Sequence, residues 1–248
     1  MKCRLIDNIK INDDYYLLKL SKEGIKEDFQ PGQFVTVKLP QVVPGQRLGI
    51  PISLYQVDEA SFTLFVKILG QGTRILSHVE KNTELEVLGP LGKGFTLLTN
   101  KTVLLISGGV GYPPLRFLKD KLTGCQVTWI HGGKCASDIF PCDHAYTEDG
   151  SEGEPGFVTS ELENILKSQK FDMAYSCGPN PMLKAVASIL KEYDVPLEVS
   201  LEEYMACGIG VCYGCAVQVV SKDNQALYKR VCKDGPVFNA QEIVWEND

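Results

Sequence analysis

Four cysteines near the end of the chain have types and spacing that do chemistry. Cys207, Cys212, Cys215 and Cys232 follow the pattern C-x4-C-x2-C-x16-C. That is the ligand pattern of a [2Fe–2S] cluster, which needs four thiolates, two for each iron. The close triplet would wind around one side of the cluster and Cys232 would close the other. Gly208, Gly210 and Gly214 lie between the first three ligands, where a backbone without Cβ can curl and aim its N–H groups at sulfur. A four-cysteine zinc site is the rival reading, although structural zinc sites usually show two short C-x2-4-C pairs and the second is missing here. Four unrelated buried thiols is the remaining one. A cluster of this kind passes one electron at a time, so the rest of the chain is expected to hold what it exchanges electrons with.

A second group of candidates consists of glycine turns at strand ends. Thr102–Ser107 is a continuous β-branched and leucine run, the mark of a buried parallel strand. It leads into Gly108, Gly109, Val110 and Gly111 and then a helix over Leu115–Lys121, with Pro114 suited to the first turn. Strand, glycine turn and helix present free N–H groups and a helix dipole to a phosphate. The glycines do not spell G-x-G-x-x-G, so the ordinary dinucleotide rule does not apply as written. Met173–Cys177 is a similar strand, followed by Gly178 and Pro179 and a helix over Leu183–Tyr193. Taken alone, Cys177 reads as a small buried hydrophobe. Earlier in the chain stand Phe29–Val35, Ile50-Pro51-Ile52-Ser53-Leu54, the stretch Val66–Thr73 before a helix-like Gly72–Val79, and the glycine-rich Leu88–Phe95. Each of these alone is a weak signal and reads more readily as an ordinary turn between strands.

The elements that must position these residues fall into three parts. Residues 1–97 carry short alternating runs at Lys2–Ile11, Tyr15–Lys19, Phe34–Leu39, Phe62–Ile68 and Glu84–Leu88, separated by turn residues. That pattern predicts a small antiparallel barrel. Residues 98–200 alternate strand and helix, with further strands at Gln126–His131 and Leu197–Leu201, and predict a doubly wound parallel sheet. Residues 201–248 hold the cysteines and a hairpin, Ala216–Val220 and Ala226–Val231, turning at Lys222–Gln225. The hairpin returns Cys232 to the triplet, which accounts for the x16 spacing. The apolar tail Ile243-Val244-Trp245 is expected to pack on a neighbouring domain or subunit.

Composition narrows the function classes. The chain has 248 residues, is 44% hydrophobic and carries a net charge of −6, which argues against nucleic acid and anionic membrane surfaces as partners. The N-terminus lacks the apolar core of a signal peptide, and no apolar run approaches the roughly 18–20 residues of a membrane span. Nine cysteines without an export signal point to a reducing, cytoplasmic compartment and to metal or redox use. The polar stretch Thr147–Gly156 reads as a solvated loop without the register of a Ca²⁺ site. His78, His131 and His144 show no metal or triad spacing.

In this order, the fragments resemble the ferredoxin–NAD(P) reductase superfamily. The resemblance implies that the barrel binds FAD, with Ile50, Pro51, Ile52 and Ser53 in the flavin motif, Phe65, Val66 and Lys67 along the flavin, and Gly72 and Thr73 at the pyrophosphate. The motif's arginine falls on Ile50, which cannot pair with phosphate; Arg47, Lys67 and Arg74 are the candidate substitutes. It further implies a nicotinamide site at Gly108, Gly109 and Gly111 and at Cys177, Gly178 and Pro179. NAD is then a substrate, with Lys134 after the second strand the residue that could meet a 2′-phosphate. Glu202–Cys215 and Gly235-Pro236-Val237-Phe238 are most similar to the electron-transfer subunits of NAD-linked dihydroorotate dehydrogenases of pyrimidine synthesis. That family implies an FMN-containing catalytic partner subunit and a heterotetramer of two copies of each. NADPH–ferredoxin reductase or sulfide dehydrogenase subunits share the architecture and are the alternative; one of their cluster ligands can be an aspartate, and the four cysteines here lean away from them. A zinc-stabilised binding module is the third class, and it leaves the flavin and nucleotide motifs unexplained.

Overall fold

The computed structural model describes residues 1–40, 48–221, 223 and 225–245. Arg47, Lys222 and Asn224 lie outside them. In the first part, alternation of apolar and polar residues produces β1 (Lys2–Lys10), β2 (Tyr15–Ser21), β3 (Phe34–Val37), β4 (Ile50–Val57) and β5 (Ser61–Lys67). The short helix α1 (Gln71–Leu76) and β6 (Glu84–Leu91) complete it. The strands close as an antiparallel barrel in the order β1-β2-β5-β4-β3-β6. Inward-facing Leu5, Leu18, Leu20, Val37, Leu54, Phe62 and Leu64 fill its core. The flavin-motif stretch is therefore itself a barrel strand, β4, which its Pro51 obscured in the sequence.

The second part contains β7 (Thr102–Gly108), α2 (Tyr112–Lys121), β8 (Gln126–Gly133), β9 (His144–Thr147) and β10 (Glu154–Pro155). It continues with α3 (Leu162–Ser168), β11 (Met173–Cys177), α4 (Asn180–Glu192) and β12 (Leu197–Ser200). The last part contains β13 (Ala216–Val220), β14 (Ala226–Arg230), the single turn α5 (Val231–Asp234) and β15 (Val237–Asn239). A seven-stranded sheet runs β10-β9-β8-β7-β11-β12-β15. The first six strands are mutually parallel, and β15 pairs antiparallel with β12, Phe238 opposite Val199. The cysteine segment thus contributes an edge strand to the preceding sheet. Its hairpin, β13 with β14, is a separate two-stranded ribbon.

Barrel and sheet share an apolar seam. Tyr15 and Phe65 from the barrel pack with Tyr112, Trp129, Phe140 and Tyr175 from the sheet side. Tyr112 stacks on Trp129 at 4.5 Å, and Phe117 of α2 reaches into the barrel core. A buried aromatic seam of this kind fixes the two bodies relative to one another. The tail also packs: Val244 N–H donates to Gln218 O at 3.1 Å, and Ile243 and Trp245 lie against the sheet's core. Among the described residues, no helix is long and apolar enough to cross a membrane.

Candidate functional site

A cavity of about 570 Å³ opens between the barrel and the carboxyl ends of β11 and β12. Ile50, Pro51, Ile52 and Ser53 from β4, Phe65, Val66 and Lys67 from β5, and Gly72 and Thr73 from α1 all line it. So does Cys177 at the end of β11. Nine flavin-motif residues and one nicotinamide-motif residue are thus brought to one space. Its walls are mostly apolar, as a flat isoalloxazine ring requires, with Phe34, Val110, Leu201, Met205 and Pro236 completing them. Thr73 has a local role as well. Its Oγ1 accepts from the N–H groups of Leu69 at 3.0 Å and Gly70 at 3.2 Å, closing the turn into α1.

With the motif arginine missing, Lys67 is the one cation on the cavity wall among the described residues. Lys67 is not free: its Nζ donates to Asp138 Oδ1 at 2.6 Å. Asp138 also accepts from Tyr15 O–H at 2.6 Å and from Lys134 N–H at 3.1 Å. Burial raises the Asp138 carboxyl, and the bonds from Lys67, Tyr15 and Lys134 more than reverse that, leaving it below the usual carboxylate range. The Asp138 carbonyl in turn meets His131 Nε2 at 2.8 Å, and His131 Nδ1 meets Ser107 Oγ at 2.8 Å. This explains His131 as a buried structural histidine whose imidazole burial pushes toward the neutral form. Arg74, the other described substitute, lines a different concavity with His78 and Thr83.

A second cleft of about 480 Å³ follows the carboxyl edge of the parallel sheet. Gly108, Gly109 and Pro179 line it, with Lys134, Glu148 and the exposed Phe157. Lys67 and Asp138 face this cleft too, so the ion pair stands in the wall between the two spaces. Gly111 and Gly178 do not line it. A Cβ on Gly111 would lie 2.0 Å from Cys177 O, so this glycine serves the close approach of the β7–α2 turn to β11. At Gly109, where φ is +50°, a Cβ would meet nothing within 4 Å, and the turn leaves open space above the sheet edge. Such space over a β-strand's carboxyl end is where an open α/β sheet receives a dinucleotide.

The cysteine segment begins in the wall of the first cavity. Leu201, Glu202, Glu203 and Met205 line that cavity, and Cys207 follows two residues later. Backbone N–H groups converge on sulfur: Val211 on Cys207 Sγ at 3.3 Å, Gly214 on Cys212 Sγ at 3.5 Å and Cys232 on Cys215 Sγ at 3.5 Å. Bonds from the N–H groups of Cys212, Ile209 and Val211 lower the Cys207 thiol to about 6, while burial lifts Cys232 to about 12. The thiols interact as two pairs, Cys207 with Cys212 and Cys215 with Cys232. Two pairs are the division that a two-iron cluster needs, and N–H donors at sulfur are what its thiolates need. Among the described residues, no three His, Cys, Asp or Glu side chains surround one point as ligands of a single ion would.

Arg230 braces this loop. Its guanidinium donates to Gly210 O at 2.8 Å and to both oxygens of Asp234, and lies 5.0 Å from the centre of the Tyr213 ring. Gly210 adopts φ +84°, and a Cβ there would meet Lys233 Cβ at 2.8 Å. Arg230, Asp138 and Glu202 are the site residues that motif reading missed. Arg230 closes hairpin strand β14, and Glu202 stands inside the most family-like stretch; only the position of Asp138 carried no signal.

Known proteins share this fold and the cysteine segment. The family described as "Iron-sulfur cluster binding domain of dihydroorotate dehydrogenase B" matches residues 202–244. A protein of Caldanaerobacter subterraneus named dihydroorotate dehydrogenase B (NAD(+)), electron transfer subunit, is 37% identical over 99% of this chain and 98% of its own length. A Listeria innocua protein of the same name is 40% identical over 97% of both chains. Among solved structures, an NADH-dependent reduced ferredoxin–NADP oxidoreductase chain superposes with a TM-score of 0.82 at 28% identity, covering 98% of this chain and 90% of that one. The ferredoxin reductase of a carbazole 1,9a-dioxygenase, at 18% identity and a TM-score of 0.67, shares the fold over 80% of this chain and 68% of that one. Identity of this size, sustained across barrel, sheet and cysteine loop alike, means that the chain belongs to the family of dihydroorotate dehydrogenase B (NAD(+)) electron transfer subunits.

Proposed function

We propose that this chain takes electrons from the FMN of a partner dihydroorotate dehydrogenase subunit and delivers them to NAD in pyrimidine synthesis. Cys207, Cys212, Cys215 and Cys232 hold a [2Fe–2S] cluster. The cavity residues Ile50, Pro51, Ile52, Ser53, Phe65, Val66, Lys67, Gly72 and Thr73 hold FAD. Gly108, Gly109, Gly111, Cys177, Gly178 and Pro179 form the nicotinamide side. The cluster supplies one-electron exchange, and the flavin joins that to the two-electron chemistry of nicotinamide. The chain's own work is placement. Apolar walls keep water from the flavin cavity, Lys67 is pinned by Asp138 between the two spaces, and Cys177 closes the end of β11 where they adjoin. No side-chain acid or base is required for the hydride step itself.

The observation that carries this reading is continuity: Leu201, Glu202, Glu203 and Met205 line the flavin cavity and the first cluster ligand follows at Cys207. We assign residues 1–97, 98–200 and 201–248 to the flavin, nucleotide and cluster parts, with β15 of the last part completing the sheet. The assembly we propose is a heterotetramer of two chains of each kind, in the cytoplasm, where the nine free thiols stay reduced. The test is co-expression with an FMN-containing barrel subunit. NADH should form from dihydroorotate and NAD when both subunits are present, and not with either alone. NADH formation by the partner alone would overturn the reading. The likeness to an NADH-dependent ferredoxin–NADP oxidoreductase supports a second reading, a reductase subunit on a larger flavoprotein. Co-purification of such a flavoprotein instead of an FMN barrel would select it.

A further inference from the structure

A backbone N–H that donates to a cysteine sulfur is one end of a planar peptide, and the preceding residue's carbonyl is the other. Such a unit cannot turn its N–H without turning its C=O, so whatever holds the carbonyl also aims the donor. The N–H of Val211, 3.3 Å from Cys207 Sγ, shares its peptide with the carbonyl of Gly210. The N–H of Gly214, 3.5 Å from Cys212 Sγ, shares one with the carbonyl of Tyr213. The N–H of Cys232, 3.5 Å from Cys215 Sγ, shares one with the carbonyl of Val231. The Tyr213 carbonyl accepts from the N–H of Ala216 at 3.2 Å, an ordinary backbone bond. The Gly210 carbonyl accepts from Arg230 Nη1 at 2.8 Å. Among the described residues, it is the one of these three that a charged side chain holds.

Arg230 is itself fixed from two further sides. Its Nε and Nη2 donate to the two Asp234 oxygens at 3.0 and 3.3 Å, a fork that matches a carboxylate. Its guanidinium carbon lies 5.0 Å from the centre of the Tyr213 ring. Tyr213 adopts φ +58°, a left-handed conformation that bulky residues rarely take. The stack on Arg230 offsets that backbone cost. The guanidinium therefore touches the segment between Cys207 and Cys212 and the segment between Cys212 and Cys215, and it stands two residues before Cys232. Its side chain is 25% exposed, so much of its field acts through protein rather than through water.

We infer that Arg230 is a positioning residue for electron entry: through the Gly210–Val211 peptide it aims and strengthens the N–H at the Cys207 sulfur, and so raises the potential at which the four cysteines' cluster accepts an electron. The contacts run from Arg230 Nη1 to Gly210 O, and from Val211 N–H to Cys207 Sγ. A cation at the carbonyl end polarises the peptide, and a polarised N–H is a stronger donor. Each electron from the partner adds one negative charge among the sulfurs, with no bond made or broken. Stronger donors and a nearby positive charge favour that state. Asp234 acts in the opposite sense, because its carboxylate cancels part of the guanidinium charge while holding it in place. The inference rests on the proposed cluster at Cys207, Cys212, Cys215 and Cys232.

The experiment is a redox titration of the anaerobically purified full chain, followed by the electron-spin signal of the reduced cluster. Wild type is compared with Arg230→Met, Arg230→Lys and Asp234→Asn. Arg230→Met should shift the cluster potential downward. Asp234→Asn leaves the guanidinium uncompensated and should shift it upward. Arg230→Lys keeps the charge without the fork and should fall between Arg230→Met and wild type. Iron release to a chelator should quicken about tenfold in Arg230→Met. The flavin potential, read in the same titration, should not move, since neither Arg230 nor Asp234 lines the flavin cavity or the nucleotide cleft. Cluster potentials that move the same way in Arg230→Met and Asp234→Asn, or do not move, would overturn the inference and leave Arg230 a structural brace. So would a flavin potential that shifts alongside, or an Arg230→Lys chain no closer to wild type than Arg230→Met. If Arg230→Met holds no cluster, Asp234→Asn decides alone: a raised potential supports the inference, and an unchanged or lowered one overturns it. A wild-type chain without iron, sulfide or that signal would overturn the cluster reading itself, and this inference with it.

Discussion

At the scale of single residues, cysteines and acids do different work. Cys212 is exposed, so Cys212→Ser should lose iron and acid-labile sulfide while flavin reduction by NADH persists. Loss of both at once would show that the cluster loop supports the whole fold. Asp138 is the opposite case. Its side chain is 4% exposed against 22% for Lys67, and it serves Tyr15 as well. Removing one partner of a buried pair strands the other, so Asp138→Ala should cost about 3 kcal/mol in denaturant unfolding. Its lowered folded pKa means that its contribution is fully present above the unfolded value of about 3.9. The contribution is lost as pH falls through the lower folded value. Wild type should therefore lose stability in acid that the variant does not have to lose; parallel acid profiles of the two would contradict this. The family resemblance drew attention to Lys67, but its partner was not legible, because Asp138 lies 71 residues away in no motif.

At the scale of elements, the close packing of turns matters more than the turns' sequences. The β7–α2 glycines look like a phosphate cradle throughout, yet Gly111 faces Cys177 O and Gly109 faces open space. Gly111→Ala must displace β11 or the turn, and should destabilise by about 1–3 kcal/mol or more while weakening nicotinamide binding. A Gly111→Ala protein with unaltered NADH affinity and stability would show that the turn yields freely. Strands with clear alternation, such as β1, β2 and β5, and the continuous run of β7 were readable because one or both faces are buried. The weaker elements were not. β9 ends on the first residue of the polar stretch that reads as a loop, and β10 lies within that stretch, where Glu154 pairs with Tyr146. β15 is three residues long and takes its identity from β12 rather than from its own pattern. Cys232 lies two residues beyond β14, in the single turn α5, which no pattern in the sequence marks.

At the scale of the whole molecule, the barrel, sheet and cysteine loop form one continuous route. The aromatic seam holds the first two together, and β15 stitches the third onto the sheet. Around the cluster loop, Tyr204, Val211, Tyr213 and Tyr228 are exposed, Tyr204 at 95%. Apolar and aromatic side chains left in water beside a redox group suit a partner's surface. Tyr204→Asp with Val211→Asp should therefore weaken association with the catalytic subunit on the order of a hundredfold or more by sedimentation, with the isolated chain's spectrum unchanged. Undiminished association would move the partner's face elsewhere. The three-part order was legible in the sequence because each part has its own chemical signature. The way they interlock was not, since it depends on Lys67–Asp138, Gly111–Cys177 and β12–β15, all contacts between segments distant in the chain. The most direct test of the electron path is the visible spectrum of anaerobically purified protein before and after NADH. Flavin and iron–sulfur absorption that both bleach on adding NADH is the expected result; a colourless protein, or colour that NADH leaves unchanged, would contradict it.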